Sequence, residues 1–165
     1  MRIFMFTLLL SVCAHSAQAA EKVTFSKKHG KWTGECSISN MTDKETCKII
    51  LDLSKKKPNA GHFSLVTFAD GIGSGLVGSP SITIAQLRVD KNRAFVCQGR
   101  FCDFEVNESV SLASQLYTGK NVAVVITTSE GVFDVEADAS GYRSVYDAMK
   151  KAGHIKTPQQ PGRDT

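Results

Sequence analysis

Asn121-Val122-Ala123-Val124-Val125-Ile126-Thr127-Thr128, then Ser129-Glu130-Gly131, then Val132-Phe133-Asp134-Val135-Glu136-Ala137-Asp138, is the stretch from which the fold is read. Phe133, Val135 and Ala137 alternate with Asp134, Glu136 and Asp138, the pattern of a strand with one buried and one wet face. The first run is almost entirely β-branched, and a glycine-containing turn separates the two. Two antiparallel strands joined by a hairpin follow, and a sheet of this kind needs a second layer to cover its apolar face.

Working outward, the rest of the chain repeats the strand pattern. Lys31 to Ile38 and Thr46 to Leu53 are β-prone runs around the polar turn Ser39 to Glu45. His62 to Ala69 and Ser81 to Val89 are two more, rich in β-branched and aromatic residues. Between them Asp70 to Pro80 carries four glycines and ends in proline, and it reads as a loop. Two helices interrupt the strands. Glu108 to Tyr117 puts Val110, Ala113, Leu116 and Tyr117 on one side, with Asn107 as candidate N-cap and Gly119 past the end. The second places Tyr142, Val145, Tyr146 and Met149 at i, i+3, i+4 and i+7, with Ser140 as cap and Gly153 as terminator. Core positions are predicted at Trp32, Phe95, Phe133, Val135, Tyr142 and Tyr146.

The 165 residues are 42% hydrophobic and 22% charged, with a net charge of +4, which argues for one globular domain. That charge is too small and too mixed in sign for a nucleic-acid binder. Arg2, the apolar run Ile3 to Val12 and the small residues of Ala17-Gln18-Ala19 predict a signal peptide over 1–19, cleaved after Ala19. The run is about half the ~20 residues a membrane span requires, so no transmembrane anchor is expected. Lipid attachment at Cys13 is the other reading weighed, against the bulky Val12. The domain is placed at 20–155, and 156–165 (KTPQQPGRDT) is read as a disordered tail.

Export governs the cysteines. Cys36, Cys47, Cys97 and Cys102 remain after cleavage, and an even count in an oxidising compartment favours disulfides. Three pairings are open to four cysteines. Cys36–Cys47 and Cys97–Cys102 are favoured because each pair is close in sequence and flanks a turn. A four-thiolate zinc site is the rival, without the Cys-x-x-Cys spacing such sites favour.

Catalytic constellations are sparse. His29, His62 and His154 remain, and a Ser/His/Asp triad needs one of them held against a nucleophile. Ser74 lacks the Gly-x-Ser-x-Gly elbow, since Ile72 stands two residues before it. Gly73-Ser74-Gly75-Leu76-Val77-Gly78 matches Gly-x-Gly-x-x-Gly, yet Pro80 and Ile82-Thr83-Ile84 follow it where a dinucleotide site has a helix. Glu136 and Asp138 share a wet strand face, as solvated acids commonly do. Asn40-Met41-Thr42 and Asn107-Glu108-Ser109 fit the glycosylation triplet. Lysines crowd the first third, and Ser54-Lys55-Lys56-Lys57-Pro58 is a candidate basic patch for an anionic surface. No catalytic residue, metal or cofactor is expected.

Trp32-Thr33-Gly34-Glu35-Cys36 resembles the opening of the invasion-associated locus B family of exported bacterial proteins. Ala94-Phe95-Val96-Cys97-Gln98-Gly99-Arg100-Phe101-Cys102, Leu116-Tyr117-Thr118-Gly119 and Gly141-Tyr142-Arg143-Ser144-Val145-Tyr146-Asp147-Ala148-Met149 are similar to later segments of that family. Phe101, Val145 and the glycine-rich 71–80 segment depart from its usual pattern. The resemblance implies a β-sandwich protein of a Gram-negative envelope, from a family associated with host-cell invasion and virulence, and it carries no catalytic residue over.

The expectation is therefore a mainly β, disulfide-clipped antiparallel β-sandwich with two short helices. Its expected role is non-enzymatic: an exported protein, periplasmic, outer-membrane associated or secreted, that binds an envelope component or host-cell surface. The alternative is a periplasmic small-ligand-binding or envelope-maintenance protein, with the glycine segment Gly71–Gly78 closing over a pocket; a hydrolase ranks third.

Overall fold

The computed structural model describes residues 21–54, 61–99 and 102–155. The expected leader, the lysines of the basic patch and the C-terminal tail lie outside them. The elements are, in order, β1 (Lys22–His29), β2 (Trp32–Ile38), β3 (Glu45–Asp52), β4 (His62–Phe68), β5 (Ser74–Ser79), β6 (Ile82–Val89), β7 (Phe95–Gln98), β8 (Cys102–Phe104), α1 (Val106–Thr118), β9 (Asn121–Thr128), β10 (Gly131–Asp138) and α2 (Ser140–Lys151).

The strands form two antiparallel sheets, one of order β1-β2-β3-β4-β5-β8 and one of order β10-β9-β6-β7. Val122, Val124 and Ile126 of β9 are buried in strict alternation, and so is Val135 of β10, as the deciding stretch predicts. Phe63 of β4 meets Phe133 of β10 at 5.0 Å between ring centroids, one of the contacts between the sheets. In β6 the register shifts between Ile82 and Ile84. The bulge changes the alternation there, so Ile82 is buried and then Ala85, Leu87 and Val89.

The two bridges are Cys36–Cys47 and Cys97–Cys102, the pairing favoured from sequence. Cys36 and Cys47 stand directly opposite in the β2–β3 register, so the first bridge clips a hairpin. Cys97 lies in β7 and Cys102 in β8, so the second ties one sheet to the other.

Helix α2 covers the inner face of β2. Val145 and Met149 pack over Gly34, where a Cβ would overlap Val145 Cγ1. At the other end Gly141 lets the backbone approach Trp32, whose Cδ1 a side chain there would overlap. Trp32 and Tyr142 are both 1% exposed and meet edge to face at 5.5 Å. Burying such side chains contributes roughly 1.5–3 kcal/mol each.

Several expectations are corrected. The segment 70–80 is not all loop: residues 74–79 form β5, paired with β4 and β8. Its glycines are there for close approach; at Gly78 a Cβ would overlap the Phe63 ring, and at Gly75 the Asp103 carboxylate. In α1 the buried residues are Ser109, Leu112 and Leu116, whereas Val110 is 50% and Tyr117 36% exposed. The stripe is displaced because Ser109 occupies a core position, its hydroxyl donating to the Phe104 carbonyl at 3.3 Å. Glu105, not Asn107, is the N-cap of α1. At α2 the cap position is Ala139, and the Ser140 amide is instead bound by the Asp138 carboxylate at 2.7 Å. Phe133 and Tyr146 are half-buried, at the edge of the core.

Candidate functional site

Cavities gather around one short turn, Ala69 to Gly73, between β4 and β5. The first, of about 460 Å³, is bounded by Glu45, Cys47, Phe68, Ile72, His154 and Ile155 together with Ala69 and Asp70. The second, of about 430 Å³, opens between α1 and α2, with Val110, Ala113 and Tyr117 on one wall and Tyr142, Tyr146 and Lys150 on the other. Ala69 and Asp70 line both, so the turn is the ridge that divides them. The Asp70 carboxylate accepts from the Ile72 amide at 3.1 Å, which closes the turn.

Three tyrosines give the second groove its chemistry. Tyr117 and Tyr146 meet at 5.5 Å with planes at 74°, and Tyr142 stacks on Tyr146 at 6.1 Å. The Tyr117 hydroxyl donates to Asp147 Oδ1 at 3.0 Å, and this acceptor holds its pKa above the ordinary phenol value. Arg143 Nε donates to the Tyr117 carbonyl at 2.6 Å, and its guanidinium lies 5.2 Å from the Tyr117 ring centroid. Burial pushes the Tyr142 hydroxyl up to about 12, against a bond to Thr67 that lowers it. The result is a surface of aromatic faces and fixed hydroxyls between two helices, suited to holding a flat or ring-bearing ligand.

In the first cavity, His154 Nδ1 lies 3.0 Å from Glu45 Oε1, and the His154 ring packs on Phe25 at 5.2 Å. Cys36, Cys47 and His154 bring three potential ligand atoms within 4.8 Å of one another. The two sulfurs are bonded to each other, and a metal ligand needs free thiolate, so the zinc reading does not fit this geometry.

The remaining candidates are dispersed. His62 opens β4 on the surface. His29 Nδ1 lies 3.3 Å from Ser144 Oγ, an exposed contact that links β1 to α2 outside both cavities. Ser74 is 5% exposed within β5 and its hydroxyl has no partner. No helix follows Gly73–Gly78, since β5 leads directly into β6, so the dinucleotide pattern has no helix N-terminus to work with. Glu136 and Asp138 are exposed on β10 as read, but Asp138 is engaged with Ser140. The triplet at Asn107 falls in the first turn of α1, with Ser109 fully buried.

The pairing of Tyr117 with Tyr146 is what sequence reasoning missed. Both fell on predicted core stripes, and the signal for the groove was available only as a second tyrosine pair, one on each helix. No helix among the described residues is long and apolar enough to cross a membrane. Two disulfides in so short a chain suit an oxidising, exported environment. No family model matches the chain, and neither a curated protein nor a solved structure matches it.

Proposed function

We propose that the protein is a non-enzymatic, exported envelope protein of the invasion-associated locus B type, acting by binding an envelope component or a host-cell surface. The observation that carries this reading is the meeting of the motifs on which the resemblance rests. The opening motif contributes Trp32 and the closing motif Gly141 and Tyr142, and these three pack on one another. The closing motif also contributes Tyr146, which pairs with Tyr117 of the Leu116–Gly119 segment. Segments over 100 residues apart in the chain thus build one aromatic cluster, with both disulfides closing between cysteines of the same framework.

The test is fractionation of the native host with protease shaving of intact cells. Surface exposure is expected for contact with another cell, and an invasion assay on a deletion strain follows from it. A protease-shielded periplasmic pool would overturn direct host binding.

A second reading, a periplasmic small-ligand binder, is favoured by the two cavities that share the Ala69–Asp70 ridge. A thermal-shift screen separates the two, because a ligand at 100 times its Kd raises stability by about 2.7 kcal/mol.

A further inference from the structure

The four bridged cysteines are not equally accessible. Cys36 and Cys102 are 0% exposed and Cys97 5%, whereas Cys47 is half-buried and lines the cavity of about 460 Å³. A disulfide exchanges when a thiolate reaches one of its sulfurs, so access decides which bond reacts and at which end. By that criterion the Cys97–Cys102 bond is closed at both ends, and the Cys36–Cys47 bond is open at one. The cavity at the open end is of small-molecule size, with apolar walls at Phe68, Ile72 and Ile155.

Exchange also needs a way to neutralise the sulfur that leaves. Attack on Cys47 Sγ expels Cys36 Sγ, and an anion at a fully buried sulfur is costly unless it is paired or protonated. His154 meets this need. One of its ring nitrogens lies within 4.8 Å of both sulfurs, and its main-chain carbonyl is 3.9 Å from Cys47 Sγ. Glu45 Oε1 holds its Nδ1 at 3.0 Å, and Phe25 packs on the ring. The end of α2 delivers this side chain to the cavity: Gly153, with φ of +84°, turns the backbone, and the His154 amide returns to the Met149 carbonyl at 3.1 Å. Lys44 and Asp70 are the other charged groups on the cavity wall.

We propose that this cavity is a thiol-exchange site at which Cys47 accepts a low-molecular-weight thiol. The incoming thiolate bonds to Cys47 Sγ and the Cys36–Cys47 bond breaks. Its electron pair leaves with Cys36 Sγ, which takes a proton from the His154 imidazolium. The proton released when the incoming thiol ionises restores the imidazolium. The product is a mixed disulfide on Cys47 and a buried thiol at Cys36. A second thiolate, attacking the sulfur of the first thiol, releases the oxidised thiol dimer and leaves Cys47 as thiolate, so two electrons pass from the thiols to the bridge. Either product opens the clip across the β2–β3 hairpin. This goes beyond the envelope reading and does not depend on it.

The experiment incubates the folded, oxidised chain with reduced glutathione, quenches at intervals with excess N-ethylmaleimide and maps each cysteine by mass spectrometry. The Cys36–Cys47 bond is expected to open at least about tenfold faster than Cys97–Cys102, ~1.4 kcal/mol of barrier. In concentrated urea, where access is equal, the two rates should converge. Intermediates should carry glutathione on Cys47 and maleimide on Cys36. His154→Ala is expected to slow opening by roughly a hundredfold, and added imidazole to restore it, which a purely structural role would not allow. Equal rates for the two bridges in the folded chain would overturn the proposal, and so would glutathione carried on Cys36. An unchanged rate in His154→Ala, or a slow one that imidazole leaves slow, would overturn the proton transfer from His154.

Discussion

The indole Nε1 of Trp32 donates to the main-chain carbonyl of Asp138 at 2.6 Å, across 106 residues of sequence. It fixes the start of β2 to the corner where β10 turns into α2, directly beneath the close approach of Gly141. A single side chain thereby joins the second strand of one sheet, the end of the other and the helix that covers the first. Trp32→Phe keeps an aromatic ring and removes the donor, and should destabilise by about 0.5–1.5 kcal/mol, since one part-buried hydrogen bond is lost. Trp32→Ala adds a cavity and should cost about 3–5 kcal/mol. Urea midpoints of the two variants test the order; equal midpoints for wild type and Trp32→Phe would show the bond to be energetically idle.

Gly78 is the clearest case of a residue whose role depends on a distant ring. Its position opposite Phe63 in the β4–β5 register leaves no room for a methyl group, and the His62 carbonyl lies 2.6 Å from where the Cβ would stand. Phe63 in turn is held against Phe133 of the other sheet. Gly78→Ala should therefore destabilise by about 1–3 kcal/mol through overpacking, although alanine suits a strand no worse than glycine. Thermal unfolding measures it, and an unchanged Tm would mean that Phe63 moves freely.

That same residue explains what the sequence could and could not reveal. β9 and β10 were legible because each strand alternates by itself, with Val122, Val124 and Ile126 inward and Asp134 and Glu136 outward. The cysteine pairs were legible because each closes locally. β5 was not, because its glycines answer to Phe63 and Asp103 on neighbouring strands and mimic a loop when read alone. β1 escaped for a related reason: its residues are mostly exposed, and it is a strand through its pairing with β2. The tyrosine groove needed two helices to be set side by side, which no local pattern encodes.

The two bridges should contribute unequally. The Cys36–Cys47 loop is longer, with a separation of 11 against 5 for Cys97–Cys102. Loop closure in the unfolded chain then gives about 3 kcal/mol for the first and about 2 kcal/mol for the second. Paired Cys→Ser variants, each removing one bridge completely, should show that order in denaturant unfolding. A larger loss from the Cys97–Cys102 pair would mean that its tie between the sheets outweighs chain entropy.

Asp138 holds the first turn of α2, and its pKa is lowered by the Ser140 amide, then by the Ser140 hydroxyl. A carboxyl that is more acidic folded than unfolded stabilises above the unfolded value and ceases to do so as pH falls through the folded one. Asp138→Ala should thus cost about 0.5–1 kcal/mol at pH 7, in the range of lost helix-start contacts. The gap between variant and wild type should narrow below about pH 4, near the ordinary carboxyl value. Tm measured from pH 7 to pH 3 checks this; a constant gap would assign the effect to something other than the charged carboxylate.

Tyr142 gives the opposite limb. Burial raises its hydroxyl from 10.0 to about 12, with the Thr67 bond opposing and the neighbouring Tyr146 adding to the rise. Ionisation is therefore easier in the unfolded chain than in the folded one. Stability from this group is fully present below pH 10 and falls between about pH 10 and pH 12 as the unfolded state loses its proton first. The loss is of order 2–3 kcal/mol over that window. Tyr142→Phe cannot ionise, so its stability should decline less steeply in alkali, even though it begins about 0.5–1.5 kcal/mol lower for want of the Thr67 bond. The two stability curves should accordingly converge or cross above pH 10. Parallel curves would mean that the Tyr142 hydroxyl reaches water in the folded protein, and that the wall it forms between the core and the α1–α2 groove is open.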